Sequence, residues 1–134
     1  MTTDATKKTA ARVALWITQL VLAAMFLFAG GAKLAGSEKM VQLFAAIGWG
    51  QWFRYFTGAV ELSAAVALLI PSAALFGAIL LVPTMIGATI ANLAFGQSPA
   101  PPIVLLLLAV AVAWTRRHQL QAYRGGWIIR RTVR

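Results

Sequence analysis

Apolar and polar positions along this chain fall into long blocks rather than short alternations. Residues 13–34, VALWITQLVLAAMFLFAGGAKL, are apolar apart from Thr18, Gln19 and Lys33. Further apolar blocks cover 53–70, 73–95 and 103–114. About 20 helical residues cross the roughly 30 Å hydrocarbon core of a bilayer. The pattern therefore predicts four membrane-crossing helices, over about 13–34, 53–70, 73–95 and 100–115. The last is short and draws on the proline-rich turn GQSPAPP (96–102) for length. Pro71-Ser72 marks a tight turn, and Pro83 predicts a kink inside the third span. A membrane helix tolerates such a proline where neighbours re-satisfy the freed carbonyl.

The longest polar interruption, Ala35–Trp52, has its own order. Ser37 stands at a helix N-cap position, and Met40, Val41, Leu43, Phe44 and Ile47 form an apolar stripe at helical spacing. This predicts a short amphipathic helix on the membrane surface, ended by Gly48. Trp49, Trp52, Phe53 and Tyr55 follow as an interfacial aromatic belt. Residues 1–12 read as a polar arm with Lys7, Lys8 and Arg12, and 117–134 as a basic tail interrupted by Trp127, Ile128 and Ile129. The tail composition predicts partial contact with the membrane surface. The first apolar block is too long for the core of a secretory signal, roughly 7–15 residues.

Composition supports a lipid solvent. Of 134 residues, 60% are hydrophobic and 11% are charged, against about 25% charged in an ordinary soluble domain. The net charge of +9 lies mainly at the two ends of the chain. That placement fits an anionic cytoplasmic leaflet rather than nucleic acid. The first loop has Lys39 beside Glu38, with Lys33 and Arg54 at its flanks, and the last loop has no basic residue. The expected architecture is an all-α integral membrane protein. It is a four-transmembrane-helix bundle over residues 13–116, with both termini cytoplasmic. There is no cysteine, which excludes disulfides and thiolate chemistry. The single histidine, His118, lies outside the spans, so no metal site or haem is expected from this chain alone.

One residue breaks the second span: Glu61, in FTGAVELSAAVALLI (56–70). A charge at membrane depth costs roughly 2.5 kcal/mol or more, and such residues face a bundle interior and find partners. At about 1.5 Å per residue, Glu61 lies roughly 12 Å below the outer edge of its span. Lys33, at the outer end of the first span, and Arg54, two turns before Glu61, sit above it. Three readings stay open. Glu61 is one half of a structural ion pair that fixes register, a proton or ligand site open to an outer cavity, or a neutral, protonated acid. Asn92, near the outer end of the third span, and Gln19, in the first, are polar groups that need partners. Helix-to-helix hydrogen bonding accounts for both, with Asn92 also a candidate for the outer site. Four-residue runs of small side chains (Ala59, Ser63, Ala67; Thr84, Ala88, Asn92; Gly87, Ala91; and Gly30-Gly31) offer faces for close helix packing.

Several of these segments resemble a known family. Phe28-Ala29-Gly30-Gly31-Ala32-Lys33-Leu34, Met40–Gly48 (MVQLFAAIG), Gly58-Ala59-Val60-Glu61-Leu62, Leu68-Leu69-Ile70-Pro71 and Met85-Ile86-Gly87-Ala88 are similar to the DoxX-like family of small bacterial four-helix membrane proteins. The resemblance covers about residues 13–116 and implies a bacterial inner-membrane protein. It implies kinship with subunits of a quinone-reducing thiosulfate oxidoreductase, with membrane partners of redox-defence proteins, and with distant eukaryotic cargo receptors and assembly chaperones. Quinone is the one cofactor it brings into view. Many members carry an arginine inside the first span, where this chain has Gln19. The family has no agreed catalytic residues, and Lys33 and Glu61 match its recurrent charged positions.

The resulting expectation is a small subunit or scaffold of a membrane redox complex, with protein partners or a homo-oligomer. A chaperone or sorting factor for membrane proteins, and a lipid or small-ligand site or transporter at Glu61, are the alternatives. A self-standing enzyme is the weakest class, since the chain offers one intramembrane acid, no thiol and no phosphate-cradling loop.

Overall fold

The computed structural model describes residues 2–118. The surface-lying segment expected in the tail, around Trp127–Ile129, lies outside the described residues. Five α-helices follow one another: α1 (Thr2–Ala35), α2 (Glu38–Ile47), α3 (Gln51–Leu69), α4 (Ala74–Ala94) and α5 (Ala100–Thr115). A single 3-10 turn, Pro71–Ala73, joins α3 to α4. Among the described residues there is no strand.

Helix α1 begins at Thr2, so the arm expected over 1–12 is helical over its described residues, 2–12. The reason is local. The stretch TTDATKKTAAR holds neither Gly nor Pro, and Asp4 sits in the first turn, where a negative charge favours the helix dipole. Helix α2 has Ser37 at its N-cap without a side-chain capping bond, and it ends on Gly48 in the left-handed region, φ 82°. Its apolar stripe is held to α3 by Phe44 against Phe53, ring centroids 5.6 Å apart, and by Gln51 Nε2 donating to the Val41 carbonyl at 3.1 Å. Pro83 lies within α4, and Pro101 and Pro102 fall in the first turn of α5, where a missing N–H costs nothing.

The helices close a ring: α1 packs on α3, α3 on α4, α4 on α5, and α5 returns to α1. The buried positions of α1 (Gln19, Leu22, Ala23, Phe26, Gly30) and of α3 (Arg54, Gly58, Glu61, Ala65, Leu68) recur every three or four residues. That is the seam of two antiparallel helices in ridge-and-groove packing. The closest approaches are built from glycine. A Cβ on Gly30 would lie 2.9 Å from the Gly58 carbonyl oxygen, and one on Gly77 2.7 Å from that of Ala64. These contacts use only part of the small-residue runs that the sequence offers: Gly30 belongs to one, and Ala67 of another lies 3.1 Å from a Cβ built on Gly77. Ala59 and Ser63 face outward, and Gly31 and Gly87 have nothing within 4 Å of a built Cβ. The reason is that Ala-rich helices carry small residues on every face; Glu61, not residue size, marks the face that turns inward.

Many large apolar side chains point outward. Phe28 is 81% exposed, and Ile90, Leu107 and Trp114 are each more than half exposed. The core holds Leu22, Phe26, Leu68, Leu81 and Val112 among several alanines. Two stretches, Thr3–Ala35 and Pro71–Ala94, are long and apolar enough to cross a membrane by length and composition. Helix α5 is apolar but has 16 residues, and α3 carries Gln51, Arg54 and Glu61.

Candidate functional site

A helical side chain leans toward the N-terminus of its own helix. Because α1 and α3 are antiparallel, Lys33 leans down the seam from above and Glu61 leans up it from below. They meet. Lys33 Nζ donates to Glu61 Oε2 at 3.0 Å, with side-chain exposures of 13% and 3%. It is the one ion pair found among the described residues.

The same rule separates Arg54 from Glu61. Arg54 lies nearer the N-terminus of α3, so its stem leans away from the carboxylate. Its Nε donates to Gln51 Oε1 at 2.7 Å, and its Nη1 donates to the main-chain carbonyl of Lys33. The guanidinium also lies 4.3 Å from the Tyr55 ring centroid. Lys33 sits in the last turn of α1, where carbonyls lack intrahelical donors and the dipole is negative. Arg54 is therefore a cap supplied to α1 from α3. Gly36, φ 73°, turns the chain beside it, and a Cβ there would come within 3.4 Å of Arg54 Nη1.

A mirror of this arrangement closes the other end. Gln19 of α1 is fully buried, and its Nε2 donates at 2.9 Å to the carbonyl of Leu68 in the last turn of α3. So each helix of the antiparallel pair caps the other's C-terminal end. The Gln19 carbonyl oxygen accepts from Arg116 twice, from Nε at 3.0 Å and from Nη2 at 2.8 Å. Arg116 lies 5.6 Å above the Trp16 ring centroid. One glutamine thus joins α1, the end of α3 and the end of α5.

Of the four residues expected at the outer site, Lys33 and Glu61 bond to each other and Arg54 binds the backbone of Lys33. Asn92 is not brought to them. Its Nδ2 donates to the Ser98 carbonyl at 2.7 Å and ties the α4–α5 loop. The part of Arg116 is absent from the sequence reading, which places it at the edge of the tail. The available signal was Gln19, a buried amide oxygen needing a donor, and Arg116 is the first cation beyond α5.

Chemically, the outer site offers one carboxylate, one ammonium and one guanidinium, each engaged within the chain. Among the described residues no buried side-chain polar atom lacks a partner. Nor do three or more His, Cys, Asp or Glu side chains gather as metal ligands. A quinone needs donors waiting for its carbonyl oxygens. Here Lys33 Nζ donates to Glu61, and Arg54 Nε and Nη1 donate to Gln51 and the end of α1.

With this geometry in view, comparison with protein families gives a clear result: the model of the DoxX-like family matches residues 17–114. The chain belongs to the DoxX-like family. The match runs from just before Gln19 to the end of α5 and includes both polar clasps except Arg116. No curated protein and no solved structure matches the chain. Family membership and the two long apolar helices point to a small membrane protein.

Proposed function

We propose that this DoxX-like protein is a four-helix bundle of the bacterial inner membrane, with both termini in the cytoplasm. We propose further that it serves as a small, non-catalytic subunit or scaffold of a membrane-bound redox complex. The observation that carries the membrane architecture is the large apolar surface turned outward. Phe28, Ile90 and Leu107 are exposed, while the closest helix approaches are made at glycine and alanine. Water drives large apolar groups inward, but lipid does not, and helices in lipid associate through small residues and polar bonds. Cross-capping of α1 and α3 fits the same solvent, because an unmet carbonyl inside a bilayer costs several kcal/mol.

Orientation follows from charge left over after pairing. Lys33 is matched by Glu61, Arg54 is committed to a helix end, and Lys39 stands beside Glu38. Lys7, Lys8, Arg12, Arg116 and Arg117 at the opposite end have no described carboxylate partner. Positive-inside then puts that end in the cytoplasm. The polar core is engaged internally, which favours a protein that works through its surfaces, with any redox group on a partner.

Purification in mild detergent with an affinity tag tests the role. Co-purification of oxidoreductase subunits in fixed proportion is the expected result. A changing set of membrane clients would replace the scaffold with a sorting or chaperone function. A homo-oligomer that retains a small ligand, released by changes at Glu61, would replace it with ligand binding.

A further inference from the structure

We infer that the Arg116 end of the bundle is a binding site for the phosphodiester headgroup of an anionic phospholipid, built from Arg116, Arg117, Trp16 and Trp114. The inference rests on the membrane reading above and names the residues that touch the lipid. Arg116 is not a loose surface charge. Its Nε and one Nη2 hydrogen are spent on Gln19 Oε1, and Gln19 is fully buried and fixed in turn by the Leu68 carbonyl. That fixes the plane of the guanidinium. It also leaves the opposite edge, Nη1 with the second Nη2 hydrogen, as a fork of donors with no partner among the described residues. Such a fork matches two oxygens of a phosphate, and a lysine ammonium cannot reproduce it.

The surroundings suit the same ligand. Trp16 lies under Arg116, and Arg117 stacks on Trp114 at 4.3 Å while its Nη1 donates to the Trp114 carbonyl. Two guanidinium groups thus stand beside two indoles at the end of α5. Indoles favour the headgroup level of a bilayer, where one side is apolar and the other wet. No carboxylate lies within ion-pair distance of either arginine among the described residues. The acids are elsewhere: Glu61 with Lys33, Glu38 on α2 and Asp4 at the start of α1. Arg116, fixed on Gln19, and Arg117 next to it, both without an anion among the described residues, fit an anion from the solvent, and in this setting the solvent is lipid.

The test is native mass spectrometry of the full chain from detergent with added phosphatidylglycerol or phosphatidylcholine. Wild type is expected to retain phosphatidylglycerol preferentially. R116Q is expected to lose roughly tenfold in that retention, as for one charge-assisted bond pair. R116K should lose most of the preference too, because it keeps the charge but not the fork. K39Q, at the opposite end, should retain it. Equal retention of the two lipids by wild type overturns the inference without any variant, as does an R116K protein that behaves like wild type. If millimolar glycerol phosphate displaces the lipid completely, the site is one for soluble phosphate and the lipid assignment fails. Recovery of the chain as a water-soluble monomer defeats the membrane reading itself, a result distinct from a membrane-embedded protein with no lipid preference.

Discussion

The Lys33–Glu61 pair permits a quantitative test of whether the deep acid is structural. Replacing Lys33 by Met removes the counter-charge and leaves a carboxylate whose side chain is 3% exposed. Breaking a buried pair from one side costs about 3–5 kcal/mol. Replacing Glu61 by Gln is milder. The amide oxygen still accepts from Lys33 Nζ, and the longer lysine stem, 13% exposed, has a route to water. About 1–3 kcal/mol is expected for E61Q. E61L leaves Lys33 without its acceptor but with the same route to water, at about 1–3 kcal/mol, so two independent sites would put K33M/E61L at roughly 4–8 kcal/mol. A structural pair gives the opposite result: the double variant returns to within about 1 kcal/mol of wild type, because an apolar replacement no longer buries charge. Reversible unfolding in mixed detergent and sodium dodecyl sulfate measures all four proteins. The reasoning is refuted if K33M unfolds within about 0.5 kcal/mol of wild type, or if the double variant is as damaged as the sum of its parts. A stable double variant that no longer holds its partner in a pull-down would assign the pair a functional duty beyond register.

Other consequences are equally concrete. R54M is expected to cost about 1–3 kcal/mol in the same unfolding assay by uncapping α1, through the Lys33 carbonyl rather than through Glu61. Q19L strips the donor from the Leu68 carbonyl and the acceptor from Arg116, and should destabilise by about 1–3 kcal/mol. G77A should cost about 1–3 kcal/mol, because its methyl meets the Ala64 carbonyl at 2.7 Å, whereas G87A, with open space, should be neutral or stabilising by up to about 1 kcal/mol. The chain has no native cysteine, so single-cysteine reporters read topology directly. Residues 39 and 97 should react with an impermeant thiol reagent on intact cells, and residues 3 and 117 only after permeabilisation; the reverse pattern would invert the orientation.

Much of this was legible in the chain itself. The block pattern placed α3, α4 and α5 to within a few residues, and the amphipathic stripe of Met40–Ile47 and its Gly48 stop were written locally. Length, apolarity and turn chemistry are properties of contiguous residues, which is why they can be read without the fold. Glu61 announced an inward face by its cost in lipid. What the chain could not show was which atoms meet. Small residues lie on every face of these helices, so the seam positions Gly58 and Gly77 could not be told from Ala59, Ser63 and Gly87, nor Gly30 from its neighbour Gly31. Arg54 and Lys33 were equivalent candidates for Glu61 until the antiparallel pairing set the direction in which each stem leans. Gln19 and Arg116 lie nearly a chain length apart, and only closure of α5 onto α1 brings them to 2.8 Å. Local chemistry decides elements; partners are decided by the register and direction of helices distant in sequence, and that information exists only in their packing.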